Sequence, residues 1–312
     1  MNKIRNIEIA GYGVELPERT VTFGEQTRYR VEDGVSQLDL LGAASLKALA
    51  MAELEIDEID CIIGGSAAGY QPLPATATLL KEKIALDTKA AAFDVNSSCT
   101  SFITSLDYAS RLINDGDYNN ILIASGDVAS RFLNPKQRES YELFSDAGAA
   151  MVIRKSEDES KGVIGSKMRT WSRNAHDTEV RGGLSGFPPE HYASNPEEYL
   201  FDMDGRKALL GMVRALPPFF NDFYEQYDLS IDDIDWVIPH QASHALALAM
   251  GKLGIPQEKY ANYVSDYGNM VSASVPFAFA KKMGEGAIKS GDTVLLCGTA
   301  AGLTANLLAL KV

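Results

Sequence analysis

The feature that most constrains this chain is an internal repeat. Residues 54–65 read LEIDEIDCIIGG and residues 229–240 read LSIDDIDWVIPH, an offset of 175. Leu, Ile, Asp, Ile, Asp and Ile recur in register, with Glu58 opposite Asp233. In each copy the pattern predicts a helix end, a short acidic turn and the start of a buried strand. A second match keeps the offset: Gly116-Asp117 precedes the apolar run 121–124, and Gly291-Asp292 precedes 293–297. Either match alone carries little weight. Their common offset points to a duplicated unit.

Each half alternates short apolar runs with helical patterns. The first half predicts strands over 6–10, 59–63, 91–95, 121–125 and 149–153, and helices over 38–54, 76–84 and 100–113. Phe102, Ile103, Leu106, Ala109 and Ile113 fall on one face of the last helix. The second half predicts helices over 199–227, broken at Pro217-Pro218, and over 243–253 and 274–284. Its strands are expected over 234–238, 294–297 and 303–310. Strand–helix alternation means right-handed βαβ units and a mostly parallel sheet, an α/β fold. The charged stretch 155–161 (KSEDESK) marks the seam, dividing the chain into 1–161 and 162–312.

Composition limits the function. Of 312 residues, 46% are hydrophobic and 23% charged, which is ordinary globular usage. The net charge of −13 argues against nucleic acid as a partner, since such proteins present a basic face. The N-terminal stretch is interrupted by charge before an apolar core develops, so no signal peptide is expected. No stretch approaches ~18 uninterrupted apolar residues, so no membrane span is expected either. Cys61, Cys99 and Cys297 are too few for a disulfide framework and suit a reducing compartment, so the expectation is a cytoplasmic protein.

Three segments could carry chemistry. Cys99 follows a strand and the turn Asn96-Ser97-Ser98, at the expected start of a helix. A helix N-terminus presents free N–H groups and partial positive charge, a setting that favours thiolate. The other reading of a lone cysteine is a buried space-filler; for Cys61 and Cys297, inside apolar runs, that reading is preferred. His240 leaves the C-terminal end of a strand, where open α/β sheets bind ligands. His240 and His244 stand four apart, but the glutamate of HExxH and a third ligand are missing, so no metal is expected. Asn269 follows Gly268 in a polar loop that opens a helix; taken alone, it reads as a turn or capping residue. His176 and His191 read as surface residues.

Together these segments resemble the β-ketoacyl-acyl carrier protein synthase III family of thiolase-like condensing enzymes. The likeness rests on Cys99 after a strand, His240-Gln241-Ala242, Tyr267-Gly268-Asn269 with Ser272-Ala273-Ser274-Val275-Pro276, and a small-residue loop near the C-terminus. Phe144-Ser145-Asp146-Ala147-Gly148-Ala149-Ala150 and Met203-Asp204-Gly205-Arg206 add to it. The resemblance implies a five-layer αβαβα fold of two duplicated halves, and a homodimer. In that dimer the strand before the turn at Gly116-Asp117 pairs across a two-fold, and Leu73 approaches the partner's pocket. It implies Cys99 as nucleophile, His240 and Asn269 as its catalytic partners, and the backbone N–H groups of Cys99 and Ala301 as oxyanion hole. An acyl-Cys99 would condense with a malonyl thioester, with loss of CO₂, to give a 3-oxoacyl thioester. Acyl-CoA is then a substrate, no resident cofactor is needed, and an acyl carrier protein is the expected partner.

The sequence departs from the family pattern around the substrate. The segment 24–34 lacks the family's tryptophan, while Arg138 aligns with the arginine on the other face of the coenzyme A adenine. A usual arginine is Ala245 and a usual lysine is Leu210, leaving Arg206, Lys207, Arg214 and Lys252 as cations near the expected tunnel mouth. Thr299 stands where the family has an aromatic, and Ala300 and Ala301 replace loop glycines. Two other functions use the same residues or none: acyl transfer to another acceptor or condensation without decarboxylation, and a catalytically silent partner subunit.

Overall fold

The structure, a computed structural model, describes residues 4–312. The repeat is built into two sheets of matching order. The first runs Glu8–Glu15, Ala147–Arg154, Asn120–Asp127, Cys61–Gly64, Ala91–Asp94. The second runs Gly162–Thr170, Thr304–Lys311, Thr293–Ala300, Trp236–Pro239. In both, two antiparallel pairings are followed by a parallel one. The fifth strand of the second sheet shrinks to one parallel bridge between Val237 and Tyr260.

The repeated acidic letters have a local cause. Glu58 accepts the Glu55 N–H at 2.9 Å, and Asp233 accepts the Ser230 N–H at 2.8 Å, so each copy caps a short 3₁₀ turn. Asp60 accepts the N–H groups of Asn119 and Asn120 at 2.8 and 3.0 Å. Asp235 accepts that of Thr293 at 2.8 Å. Each thereby pins the start of the neighbouring strand. Gly116 and Gly291 both adopt positive φ, 86° and 93°, where a side chain would be strained.

The layers follow from which faces are apolar. Helices Gln37–Ala52 and Thr76–Ala85 cover the outer face of the first sheet. Helices Ser101–Asp115 and Ser274–Gly284 lie between the sheets and touch both. Helix Gly205–Tyr227 covers the second sheet's outer face and touches Leu246–Lys252. The result is the five-layer αβαβα arrangement. Its central core mixes the halves, joining Ile63, Phe102 and Ile123 to Ile238, Phe279 and Leu308.

Three expectations change. The two sheets are mixed rather than mostly parallel, with four of their seven strand pairings among the described residues antiparallel, because each half closes with strands joined without a crossover helix. The helix over Gly205–Tyr227 is unbroken, with Pro217 and Pro218 inside it. Each proline lacks an N–H that an inner turn would use. The flanking Ala215, Leu216, Phe219, Phe220 and Phe223 are buried, and that apolar face holds the axis. The helix after Cys99 begins at Ser101 rather than at the cysteine. No described helix is long and apolar enough to cross a membrane.

Candidate active site

Cys99 sits on a tightly tied turn. The Ser98 N–H donates to Asn96 Oδ1 at 2.8 Å, and Asn96 Nδ2 donates to the Ala67 carbonyl at 2.9 Å. Ser101 Oγ accepts the Ser97 N–H at 2.9 Å and donates to the Ser98 carbonyl at 2.6 Å. These bonds hold Ser98 at φ 56° and present the cysteine side chain at the mouth of the following helix. Ser98 Oγ lies 3.9 Å from its sulfur, and the backbone N–H groups of Ala301 and of Cys99 itself favour the thiolate form. Thiolate stabilisation by the helix end does not prevail. Burial, reinforced by the charge of Asp127, pushes the Cys99 thiol up to about 11.

His240 follows the strand Trp236–Pro239, and its N–H donates to the Cys297 carbonyl at 2.8 Å. Its side chain is 4% exposed and Nδ1 has no hydrogen-bond partner. Burial lowers its pKa to about 4, so the imidazole is neutral at pH 7. Gly298 lets the loops close: a Cβ there would lie 2.9 Å from His240 Cβ and 3.2 Å from Thr100 Cγ2. The Cys99 turn and the histidine therefore meet across a glycine.

Asn269 joins the same centre. Its side chain does make a turn contact, accepting the Val271 N–H at 2.8 Å. Its Nδ2, however, donates across to the Ala242 carbonyl at 3.0 Å, two residues past His240. Gly268 is required here, with φ 72° and a position where a Cβ would come within 2.3 Å of the Leu143 carbonyl. Beneath it lies Arg28, fully buried, donating to the carbonyls of Glu142 and Ser265 at 2.9 and 3.1 Å. Arg28 braces the Asn269 loop and went unread in the sequence, because its partners are distant backbone carbonyls.

Backbone strain marks the same place. Among the described residues, five non-glycines have positive φ. Glu53 and Asp228 are ordinary left-handed helix C-caps. The other three are Ser98, Val271 and Leu303, each within two residues of Cys99, Asn269 or Ala301. Such strain collects at functional sites.

A small cavity of about 60 Å³ adjoins His240, lined by Thr299, Met212, Leu216, Phe220 and Met250 among others. Cys99 is outside that lining and connects to it through Thr100, Gly298 and His240. The remaining expected substrate residues stand at the surface. Arg138 is 86% exposed and paired with Glu142 at 2.7 Å. Leu73 is 83% exposed. Arg206 and Arg214 are exposed on the outer helix Gly205–Tyr227.

A duplicated five-layer fold, with the Cys99 turn, His240 and the Asn269 loop brought near one another through Thr100, Gly298 and Ala242, is the fold of thiolase-like enzymes. The family model described as 3-oxoacyl-[acyl-carrier-protein (ACP)] synthase III matches residues 93–172, and its C-terminal counterpart matches 224–312. The beta-ketoacyl-[acyl-carrier-protein] synthase III of Staphylococcus aureus (strain Newman) is 30% identical over 325 residues, covering 98% of this chain and 99% of that protein. Among solved structures, the 3-oxoacyl-[acyl-carrier-protein] synthase III of Aquifex aeolicus VF5 superposes with a TM-score of 0.88 at 25% identity, over 98% of this chain and 100% of that one. The Pseudomonas aeruginosa PAO1 enzyme gives 0.87 at 26%, over 98% of both. The chain belongs to the 3-oxoacyl-[acyl-carrier-protein] synthase III family, and is a condensing enzyme of the acyltransferase class.

Proposed function

We propose that the chain forms an acyl-Cys99 intermediate and condenses it with a malonyl thioester, using His240 and Asn269. The observation that carries this reading is the placement of Cys99 on a tied turn next to the His240 loop, with the backbone N–H groups of Ala301 and Cys99 on the side that favours its thiolate form. Donors so placed would hold the oxyanion of a tetrahedral intermediate formed at that sulfur. In the first half-reaction the thiol loses its proton as sulfur attacks the thioester carbonyl, and the departing thiolate takes up a proton to leave as free thiol. In the second, the malonyl carboxylate leaves as CO₂ and an enolate develops. A neutral His240 donates from Nε2 to the enolate oxygen without giving up its proton, and the Asn269 amide supplies a second donor. The enolate carbon then attacks acyl-Cys99, the C–S bond breaks to leave the Cys99 thiolate, which takes up a proton from solvent to restore the thiol, and the 3-oxoacyl thioester is released.

Several features support the wider reading. Acyl-CoA acts as substrate and the chemistry asks for no resident cofactor or metal. Thr299, in the cavity wall beside His240, would contact the bound thioester, and Arg138 would face the coenzyme A adenine. The exposed Arg206, Arg214 and Lys252 would receive an acidic acyl carrier protein, whereas Lys207 is turned to Asp204 at 2.9 Å. The edge strand Ala91–Asp94 pairs only with Cys61–Gly64, leaving a free edge that suits a two-fold partner. With Leu73 projecting, that supports a homodimer, to be seen by light scattering at micromolar concentration. The halves are taken as 1–161 and 162–312, and the three free cysteines support a cytoplasmic setting.

Intact-mass screening against an acyl-CoA panel tests the core of this. An acyl adduct should appear on the wild type, survive Cys61→Ser and Cys297→Ser, and vanish in Cys99→Ser. Labelled CO₂ trapped from a malonyl thioester tests the decarboxylation. Arg206→Glu with Arg214→Glu should raise KM for a carrier-bound substrate about tenfold, ~1.4 kcal/mol, while leaving acylation by a small free thioester nearly unchanged.

A further inference from the structure

We infer that Asp127 is a positioning residue that ties the Cys99 turn and the Asn269 loop to one buried carboxylate. This rests on the proposed roles of those two residues. Asp127 ends the strand Asn120–Asp127 and is 3% exposed. No cation pairs with it among the described residues. Its oxygens instead accept from three backbone N–H groups, those of Ala68 at 2.8 Å, Ser272 at 3.2 Å and Ala67 at 3.4 Å, and from the Ser272 hydroxyl.

Two hydrogen-bonded chains leave that carboxylate. One runs through Ala67, whose carbonyl receives Asn96 Nδ2, to the Asn96 Oδ1 that fixes Ser98 beside Cys99. The other runs through Ser272 to Val271, whose N–H holds the Asn269 side chain. A buried carboxylate without a countercharge is costly, and its own pKa is raised by burial. A neutral side chain would satisfy fewer of these donors, since only a carboxylate accepts on both oxygens.

The same charge acts on the thiol. Burial raises the Cys99 thiol's pKa first, and the charge of Asp127 raises it further. Asp127 therefore orders the site and, after burial, adds to what keeps the Cys99 sulfur protonated.

Asp127→Asn and Ser272→Ala together separate these effects from a merely structural role. The pH midpoint of Cys99 alkylation by iodoacetamide should fall by about one unit, so alkylation near pH 8 speeds up. Turnover of an acyl-CoA with malonyl-CoA, read as CoA release, should slow at least about tenfold in kcat with little change in KM. Simple loosening would also expose the thiol and lower its midpoint, so the separation rests on a variant that loosens the same tie and keeps the carboxylate. Ser272→Ala keeps the charge, so it should lower kcat while leaving the alkylation midpoint in place. An unmoved midpoint in folded Asp127→Asn, or wild-type kcat in either variant, overturns the inference. Should Asp127→Asn not fold, Ser272→Ala decides it by the same kcat criterion. If no acyl-CoA acylates the wild type, the proposed function fails while the alkylation midpoint still tests Asp127.

Discussion

The two halves share a framework and divide the equipment. Gly65 and His240 stand 175 residues apart at the ends of matching strands. The Gly65 N–H donates to the Ala124 carbonyl and the His240 N–H to that of Cys297, both at 2.8 Å. Their surroundings differ. A Cβ at Gly65 would lie 2.8 Å from Ser105 Oγ, under the helix Ser101–Asp115. His240 instead borders a cavity. Likewise the Cys99 and Asn269 loops each precede a middle-layer helix, Ser101–Asp115 and Ser274–Gly284, yet one carries a thiol and the other an amide. Duplication supplied two strand–loop–helix mounts facing one another. The chemistry came from making them unequal.

The comparison can be broken most severely at His240. In His240→Gly the second strand end receives the first half's residue, and malonyl-dependent condensation should fall by about 10²–10³, as for loss of one oxyanion donor. An acyl adduct on Cys99 should still form, by intact mass. Condensation at the wild-type rate would mean that the asymmetry does not carry the enolate step.

Closing the gap between the mounts is the next test. Gly298→Ala places a Cβ against His240 and Thr100. The overpacking should cost about 1–3 kcal/mol in urea unfolding and lower kcat as well. A variant with wild-type stability and rate would show that the loops have slack there.

The buried histidine also sets a pH slope that the glycine-bearing half lacks. Its pKa is about 4 in the folded protein. In the unfolded chain it is ordinary, ~6.5, so between these values the unfolded state binds the extra proton. Stability from this group is present above pH 6.5 and is lost as pH falls toward 4, about 2 kcal/mol between pH 7 and pH 5. His240→Gly should flatten the urea midpoint over that range by this amount.

The smallest effect probes what the halves share. Asp60 receives two strand N–H groups and Asp235 one. Asp60→Ala should destabilise by about 1–2 kcal/mol and Asp235→Ala by about 1 kcal/mol, with acylation of Cys99 unchanged. Equal losses would mean that the second N–H contributes nothing.

The repeat made the framework legible because its signals are local. Capping by Glu58 and Asp233, the turn glycines Gly116 and Gly291, and the apolar runs each involve residues close in sequence or an alternation of fixed period. The sheet order itself was not readable, but the repeat required that both halves have the same one. Helix Gly205–Tyr227 shows the limit of local signals: the proline pair predicts a break, and burial of the residues around it overrides that prediction.

The sequence by itself determined the duplicated α/β framework, the family, and the placement of Cys99 and Asn269 ahead of helices and of His240 after a strand. Tertiary structure alone decided the state of those groups. The helix end argued for a thiolate at Cys99, yet burial and Asp127 hold it as thiol, and burial holds His240 neutral. Asp127 and Arg28 act through backbone groups far away in sequence. Desolvation and long-range fields sum over every segment that packs around a group, so no window of sequence contains them.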